Sequence, residues 1–280
     1  MAGMLYLCAT PIGNLEDVTL RVLRILQEVD LIAAEDTRQS IKLLNHYEIK
    51  TPLISYHEHN KKEKTPVLVR KLLAGESIAL VTDAGTPAIS DPGEDLVRAC
   101  YEAGVEVTSL PGPAAVITAL TLSGMDARRF TFEGFLPQDK KEREQVLERL
   151  GNTTCTTIFY EAPHRLRKTL ALFLDKVGEE RRIAICKELT KKHESAMQMT
   201  LGEAVSYYEK VEPKGEFVLV LQGADARQME LREQQRWQEL SIEEHMEIYL
   251  KQGLMKKDAM KAVAKDRGIS KREVYAQLLP

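Results

Sequence analysis

The chain has 280 residues, 44% of them apolar, with 39 Lys and Arg against 42 Asp and Glu and a net charge of −3. That length accommodates two domains of ordinary size, and the composition is that of a globular protein. It excludes a global basic field for nucleic acid, though not a local basic patch, and no apolar run reaches the length of a membrane span.

The four cysteines, Cys8, Cys100, Cys155 and Cys186, lie far apart and form no CxxC or Cys/His cluster. They read as reduced, mostly buried thiols of a cytoplasmic protein. The N-terminus lacks a basic n-region and reads as a first strand rather than a signal peptide.

In chain order, residues 5–9 form a short buried strand that ends in the turn Thr10-Pro11-Ile12-Gly13-Asn14, where Asn14 or Asp17 is placed to cap a helix. Val18, Val22, Leu23, Ile25, Leu26 and Val29 give that helix its apolar stripe. A strand at 31–34 ends in Glu35-Asp36-Thr37-Arg38, and a helix at 39–46 returns to a strand at 53–56 that ends in His57-Glu58-His59-Asn60. A helix at 65–73 leads to the apolar run 77–82.

The loop that follows, 83–93 (DAGTPAISDPG), is the centre of the chain's organisation. Two Gly and two Pro in eleven residues impose an unusual backbone path. Asp83 and Asp91 supply acceptors, and the loop is longer than a plain strand-to-helix turn needs. A helix at 94–103 and a strand at 105–110 ending in Pro111-Gly112-Pro113-Ala114-Ala115 complete five strand–helix units. Short connections predict a parallel sheet with helices on both faces. Its polar strand ends then share one edge, where open α/β sheets bind ligands.

After a helix at 114–123, strands are expected at 130–135, 156–160, 182–186, 197–201 and 216–221, with amphipathic helices at 140–150, 163–177 and 202–210. The fold class is thus α/β, with two α/β domains at 1–113 and 114–224. A charged helical linker follows at 225–240, and 241–280 forms a small all-helical unit. In that unit Ala264, Gly268 and Val274 have the spacing of a helix-turn-helix core. Lys256, Lys257, Lys261, Lys265, Arg267, Lys271 and Arg272 make it basic, which suits contact with nucleic-acid phosphates or solvated lysines on a helical cap.

No GxxxxGK[ST], GxGxxG or GxSxG is present, which removes P-loop, dinucleotide-fold and hydrolase-elbow chemistry. His57 and His59 flank Glu58, but on a strand end they would point to opposite faces, and no third ligand stands at a known spacing; no metal site is expected. The remaining polar clusters suit a neutral, hydroxyl-bearing ligand. In the second domain, Tyr160-Glu161-Ala162-Pro163-His164-Arg165 and the segment 187–194 (KELTKKHE) end two strands. The lysines there suit RNA phosphates, or Glu and Lys there suit the relay of a hydroxyl proton.

At ATPIGNLEDVTLRVL, AAEDTR, SYHEHN, DAGTPAISDPG, SLPGPAAVITAL, FEGFLP, FYEAPHR, KELTKKHE and GEFVLVL the sequence closely resembles the bacterial ribosomal RNA small subunit methyltransferase I family, within the tetrapyrrole-methylase superfamily. The resemblance implies S-adenosyl-L-methionine (SAM) folded in a cleft between two α/β domains of the tetrapyrrole-methylase type, and a homodimer. It implies 2'-O-methylation of a cytidine in the decoding region of 16S ribosomal RNA, free or in the assembled small subunit.

Carried over by motif, the cofactor contacts fall on Pro11, Asp83, Ile89, Ala114, Ala115, Tyr160 and Glu161, with Leu189 and Phe217 as weaker matches. Pro11, with Gly13, stands where tetrapyrrole makers carry a Gly-rich loop, and this departure argues against a porphyrin substrate. Acid–base candidates are Glu35, His57, Glu161, Lys187 and Glu188. RNA contacts are expected at Arg165, Lys191, Lys192, Lys256, Lys257, Lys271 and Arg272. The rival readings are a tetrapyrrole C-methyltransferase of the same fold, an RNA-binding module with a vestigial SAM site, and a structural dimer with a DNA-binding tail.

Overall fold

The computed structural model describes residues 2–227, 229, 237 and 239–278. Strands β1 (Met4–Cys8), β2 (Leu31–Ala34), β3 (Leu53–Ser55), β4 (Ile78–Val81) and β5 (Glu106–Leu110) form one sheet in the order β3-β2-β4-β1-β5, every pairing parallel. Alternation along β1 sends Cys8 to one face and Leu5 and Leu7 to the other. Helices α1 (Leu20–Glu28) and α2 (Thr37–His46) cover the first face; α3 (Lys61–Leu73) and α4 (Gly93–Glu102) cover the second.

The connections from β1 and β4 therefore leave towards opposite faces. Their divergence opens a crevice at the C-terminal ends of two neighbouring strands, the position at which such sheets hold ligands.

Local chemistry sets the element ends. Asn14 caps a short 3₁₀ turn, Leu15–Asp17, and α1 is capped instead by Thr19, whose Oγ1 accepts the Val22 N–H at 3.2 Å. Neither Asn14 nor Asp17 caps α1, because the 3₁₀ turn intervenes. Helix α3 begins a turn earlier than the apolar pattern suggests and carries Pro66 inside it. The histidines expected at a strand end lie in the turn beyond β3, with His57 and His59 rings 6.0 Å apart, so strand alternation does not govern them. Among the described residues no group of three or more His, Cys, Asp or Glu is placed to hold a metal ion.

The second sheet joins β6 (Phe130–Phe135), β7 (Thr156–Glu161), β8 (Arg182–Lys187), β9 (Ser195–Thr200) and β10 (Phe217–Leu221) in the order β6-β7-β10-β8-β9. Only β6 and β7 run parallel; β10 lies antiparallel between β7 and β8. Strand β9 sits two residues earlier than the apolar run implied.

Helices α6 (Lys140–Asn152), α7 (Pro163–Val177) and α8 (Leu201–Lys210) pack on one face around Phe159, Phe173 and Leu219. The other face is covered by α5 (Ala115–Ser123) through Val116, Ala119 and Leu120. Ile12, from the β1 loop of the first sheet, joins this same cluster.

Most of the expected linker at 225–240 lies outside the described residues. Beyond it, α9 (Ile242–Lys251), α10 (Lys256–Asp266) and α11 (Lys271–Gln277) enclose a small core of Ile242, Met246, Met260, Val263, Ala264 and Val274. Gly268 turns the chain at φ +64° between α10 and α11, where a side chain would be strained. Ser241 and Ser270 form capping boxes with Glu244 and Glu273. His245 is fully buried and stacks on Trp237 at 3.9 Å. Among the described residues no helix is long and apolar enough to cross a membrane. Cys8, Cys100 and Cys186 are buried and Cys155 is half-buried.

Candidate active site

The floor of the site is the C-terminal edge of the parallel sheet. Thr10 and Gly85 exchange backbone hydrogen bonds of 2.9 Å each, and the Thr10 hydroxyl donates to the Thr82 carbonyl at 3.1 Å. Thr86 Oγ1 donates to the Pro113 carbonyl at 3.0 Å. The loops after β1, β4 and β5 are thereby knitted into one surface. Gly85 makes this possible: its φ is +85°, and a Cβ there would come within 3.3 Å of Ile12 Cγ2.

Carboxylates crowd beside this surface. Glu35 Oε2 accepts the Thr82 hydroxyl at 2.6 Å and the Asp83 N–H at 3.4 Å, while Asp83 Oδ1 accepts the Asp36 N–H at 3.0 Å. Burial first, then the negative Glu35, raise the Asp83 pKa above its ordinary 3.8. A site whose anions repel one another favours a cationic ligand.

The central loop is held by its second aspartate. Ala88 and Ser90 sit at φ +66° and +65°, a region that costs non-glycine residues strain. Asp91 compensates by accepting N–H bonds from Ala88 at 3.0 Å, Ile89 at 3.3 Å and Gly93 at 2.8 Å. Its carboxylate serves the loop itself rather than a ligand. Burial nevertheless outweighs these bonds and raises its pKa.

The second sheet supplies the opposite wall. Tyr160 packs edge-to-face on Phe132 at 4.8 Å and Phe135 at 5.8 Å. Burial raises its pKa, opposed by the nearby Val116 N–H in the first turn of α5. That turn has no side-chain cap, since Ala114 stands at the N-cap. The Glu161 side chain is fully buried and its oxygens accept from the Ala162 N–H at 2.9 Å and the Thr169 hydroxyl; Arg165 lies 3.5 Å away. Glu188 accepts the Glu216 N–H at 2.9 Å and Lys191 at 3.0 Å, and the N–H bond first, with Lys191 opposing burial, lowers its pKa. Lys191 also pairs with Glu216 at 2.8 Å.

The two walls meet at Gly13, where an added Cβ would lie 2.4 Å from Lys191 Cγ, 2.7 Å from Thr190 Oγ1 and 2.9 Å from the Leu189 carbonyl. This close approach lets the β1 loop seal against the loop after β8.

Between them lies a cavity of about 470 Å³, within the range of small-molecule sites. Of the residues expected to hold a cofactor, Ile89, Ala114, Ala115, Tyr160, Glu161, Leu189 and Phe217 line it; Pro11 and Asp83 do not, although their neighbours Ile12 and Ala84 do. Of the acid–base candidates only Glu161 lines it, while Glu35, His57, Lys187 and Glu188 stand outside its wall. His57 forms a turn with Asn60, donating its N–H to Asn60 Oδ1 at 2.9 Å.

Among the expected RNA contacts, Lys192 is exposed, Arg165 donates to the Leu136 carbonyl, and Lys191 is ion-paired. Lys256 and Lys257 open α10, and Lys271 and Arg272 open α11, in the separate helical unit. Gly85, Thr86, Val116, Phe135, His164, Glu216 and Val218 also line the cavity. Most adjoin motif residues, and Phe135 belongs to the FEGFLP segment, so proximity in sequence was the available signal.

The comparisons with known proteins agree with this architecture. Residues 4–205 match the family Tetrapyrrole (Corrin/Porphyrin) Methylases. The chain is 50% identical over 273 residues to the ribosomal RNA small subunit methyltransferase I of Halalkalibacterium halodurans, covering 98% of this chain and 93% of that one. It is 44% identical over 223 residues to the protein of the same name from Thermotoga maritima, covering 80% of this chain and 100% of that one. The uroporphyrin-III C-methyltransferase of Thermus thermophilus, solved as a complex with S-adenyl homocysteine, superposes with a TM-score of 0.57 at 19% identity, over 79% of this chain and 97% of that one. With the family match spanning most of its length and relatives of one name along nearly all of it, the chain belongs to the tetrapyrrole methylases, in the ribosomal RNA small subunit methyltransferase I group.

Proposed function

We propose that the chain methylates the ribose 2'-hydroxyl of a cytidine in the decoding region of 16S ribosomal RNA, using SAM, as a cytoplasmic homodimer. The observation that carries this is the cavity between the two sheets, apolar around Ile89, Ala115, Tyr160 and Phe217, with Ala84 of its wall next in the chain to Asp83, whose N–H the Glu35 carboxylate accepts. Such a site fits a nucleoside that bears positive charge. Ile89, Ala114, Ala115, Leu189 and Phe217 would hold the cofactor's apolar surface, with Asp83 and Glu35 facing its positive end.

Bound SAM supplies an electrophilic methyl group on a sulfonium, a good leaving group. The protein's task is then alignment and the exclusion of water, more than strong base catalysis. The Glu161 and Glu188 carboxylates are engaged by backbone and side-chain donors, which suits them to shaping the walls. Glu35, outside the cavity wall, accepts the Thr82 hydroxyl at the sheet edge and serves to hold that edge.

The alignment with the Thermotoga maritima relative covers all of that chain and 80% of this one. In this reading the domains divide at 113 and 224. Lys192, with Lys256, Lys257, Lys271 and Arg272 of the tail, contacts phosphates around the target.

The test is transfer of labelled methyl from SAM to unmodified small subunits and to free 16S RNA, followed by mapping of the label. Label on one cytidine 2'-oxygen is expected. Label on a base, or on tetrapyrroles only, would overturn the assignment.

A further inference from the structure

We propose that Phe135 is the platform on which the acceptor's pyrimidine base stacks, resting on the RNA-methylation reading above. Strand β6 carries a register shift against β7. Strand β6 pairs Phe132 with Ile158, Gly134 with Phe159 and Phe135 with Tyr160, so Glu133 is an extra residue in a bulge. Three residues apart on a regular strand, Phe132 and Phe135 would face opposite sides of the sheet. The bulge returns Phe135 to the side of Ile158 and Tyr160, the cavity side, and sends Leu136 into the core against Phe159. Gly134 permits this with φ +64°. Bulges in parallel pairs are rare, and bulges recur beside active sites, where they re-aim a side chain.

The re-aimed ring is not spent on packing. Phe135 is 50% exposed while it lines the cavity, and it touches Tyr160 edge-to-face at 5.8 Å. It stands on the outermost strand of its sheet, at the rim. A small cofactor can be enclosed by the inner strands β7 and β10, whereas a base carried on a polymer must enter over the rim.

The chain after Phe135 is clamped. Arg165 Nη2 donates to the Leu136 carbonyl, and Arg143 Nη1 donates to the Pro137 and Gln138 carbonyls at 3.3 and 2.7 Å. The backbone that carries the ring is thus held in place by two guanidinium groups. Proteins that recognise RNA sequence-specifically take hold of unstacked bases, which stack on aromatic side chains.

The test compares Phe135→Ala, Phe135→Leu and Phe135→Trp in the full chain, with SAM affinity by calorimetry and methyl transfer to small subunits. Loss of a base–aromatic stack of about 1–3 kcal/mol predicts a kcat/KM for RNA roughly 5- to 150-fold lower for Ala. Leu, which restores apolar volume without a ring, stays low; Trp recovers most of the activity. SAM affinity changes far less than kcat/KM for RNA in all three.

A Leu variant as active as the wild type would show simple packing and overturn the proposal. A parallel loss of SAM affinity would place the ring against the cofactor and overturn it too. If the wild type labels no RNA at all, the functional reading fails first and this proposal with it; an active wild type with unaffected variants removes only the platform.

Discussion

Asp91 shows how one side chain sets the shape of the central loop. Its three N–H bonds hold Ala88 and Ser90 in left-handed conformations beside the cavity. Replacing it with Ala frees those donors. Hydrogen bonds to a charged group contribute about 1.5–3 kcal/mol, so the variant should lose stability of that order, reduced by relief of the buried charge. Denaturant unfolding measures this, and an unchanged midpoint would refute it. The DAGTPAISDPG sequence announces a constrained loop, but not that the second aspartate is consumed within it; that depends on the loop folding back on itself.

Asp83 is the other half of that pattern. Its pKa is raised by burial and by Glu35, and a cationic cofactor favours the ionised form. SAM affinity should therefore be complete well above the raised pKa and fall as pH drops through it, earlier than an ordinary aspartate would give. Glu35→Gln removes the neighbouring charge and should move the fall to lower pH. Calorimetry across pH 4–7, in steps of about half a unit around the carboxylate range, reads this shift. The same midpoint in both proteins would contradict the coupling. Asp83→Ala should weaken binding roughly 10- to 150-fold, as expected for loss of one charge-assisted contact.

Among the elements, those with one buried face were the legible ones. β6 and α7 fall where periodicity predicts them, at Phe130–Phe135 and Pro163–Val177. The parallel order of the first sheet follows from strand–helix alternation. What periodicity misses lies where an element departs from its regular form. The 3₁₀ turn at Leu15–Asp17 displaces the cap to Thr19, and the bulge at Glu133 reverses the facing of Phe135. Neither leaves a distinct apolar spacing.

The seal between the β1 loop and the loop after β8 is equally silent in sequence, because Gly13 marks contact with a segment far away in the chain. Gly13→Val must push the Leu189 carbonyl away, opening the cavity. Weaker SAM binding with little change in melting temperature is expected. Unaltered binding would show that the two loops need not touch.

At the scale of the whole molecule, the helical tail has its own core and is built separately from the cavity walls. Deleting 241–280 should leave SAM affinity alone and weaken binding to the small subunit. The lost portion should be the salt-sensitive one, because it comes from lysines and arginines near phosphates. A truncated enzyme that binds subunits equally well at every salt concentration would contradict this.

The tail also carries a titratable group in its core. His245 is held below its ordinary 6.5 by burial first and by Arg267, with Asp266 opposing. The unfolded histidine then binds a proton more readily than the folded one, so the tail's stability is intact above about pH 6.5 and declines below it. Fluorescence of Trp237, which stacks on His245, should report that loss; a pH-independent signal between 5 and 7, the range in which histidine charges, would refute it.

The central claim is that the cavity between the two sheets is where SAM binds. Ala115 lines that cavity at the start of α5, and Ala115→Trp fills it. Calorimetric titration of SAM into the wild type and this variant, each with its fold checked by circular dichroism, is the most direct measurement. Binding is expected in the wild type and its loss in the folded variant. Equal affinity in the two would place the cofactor outside this cavity.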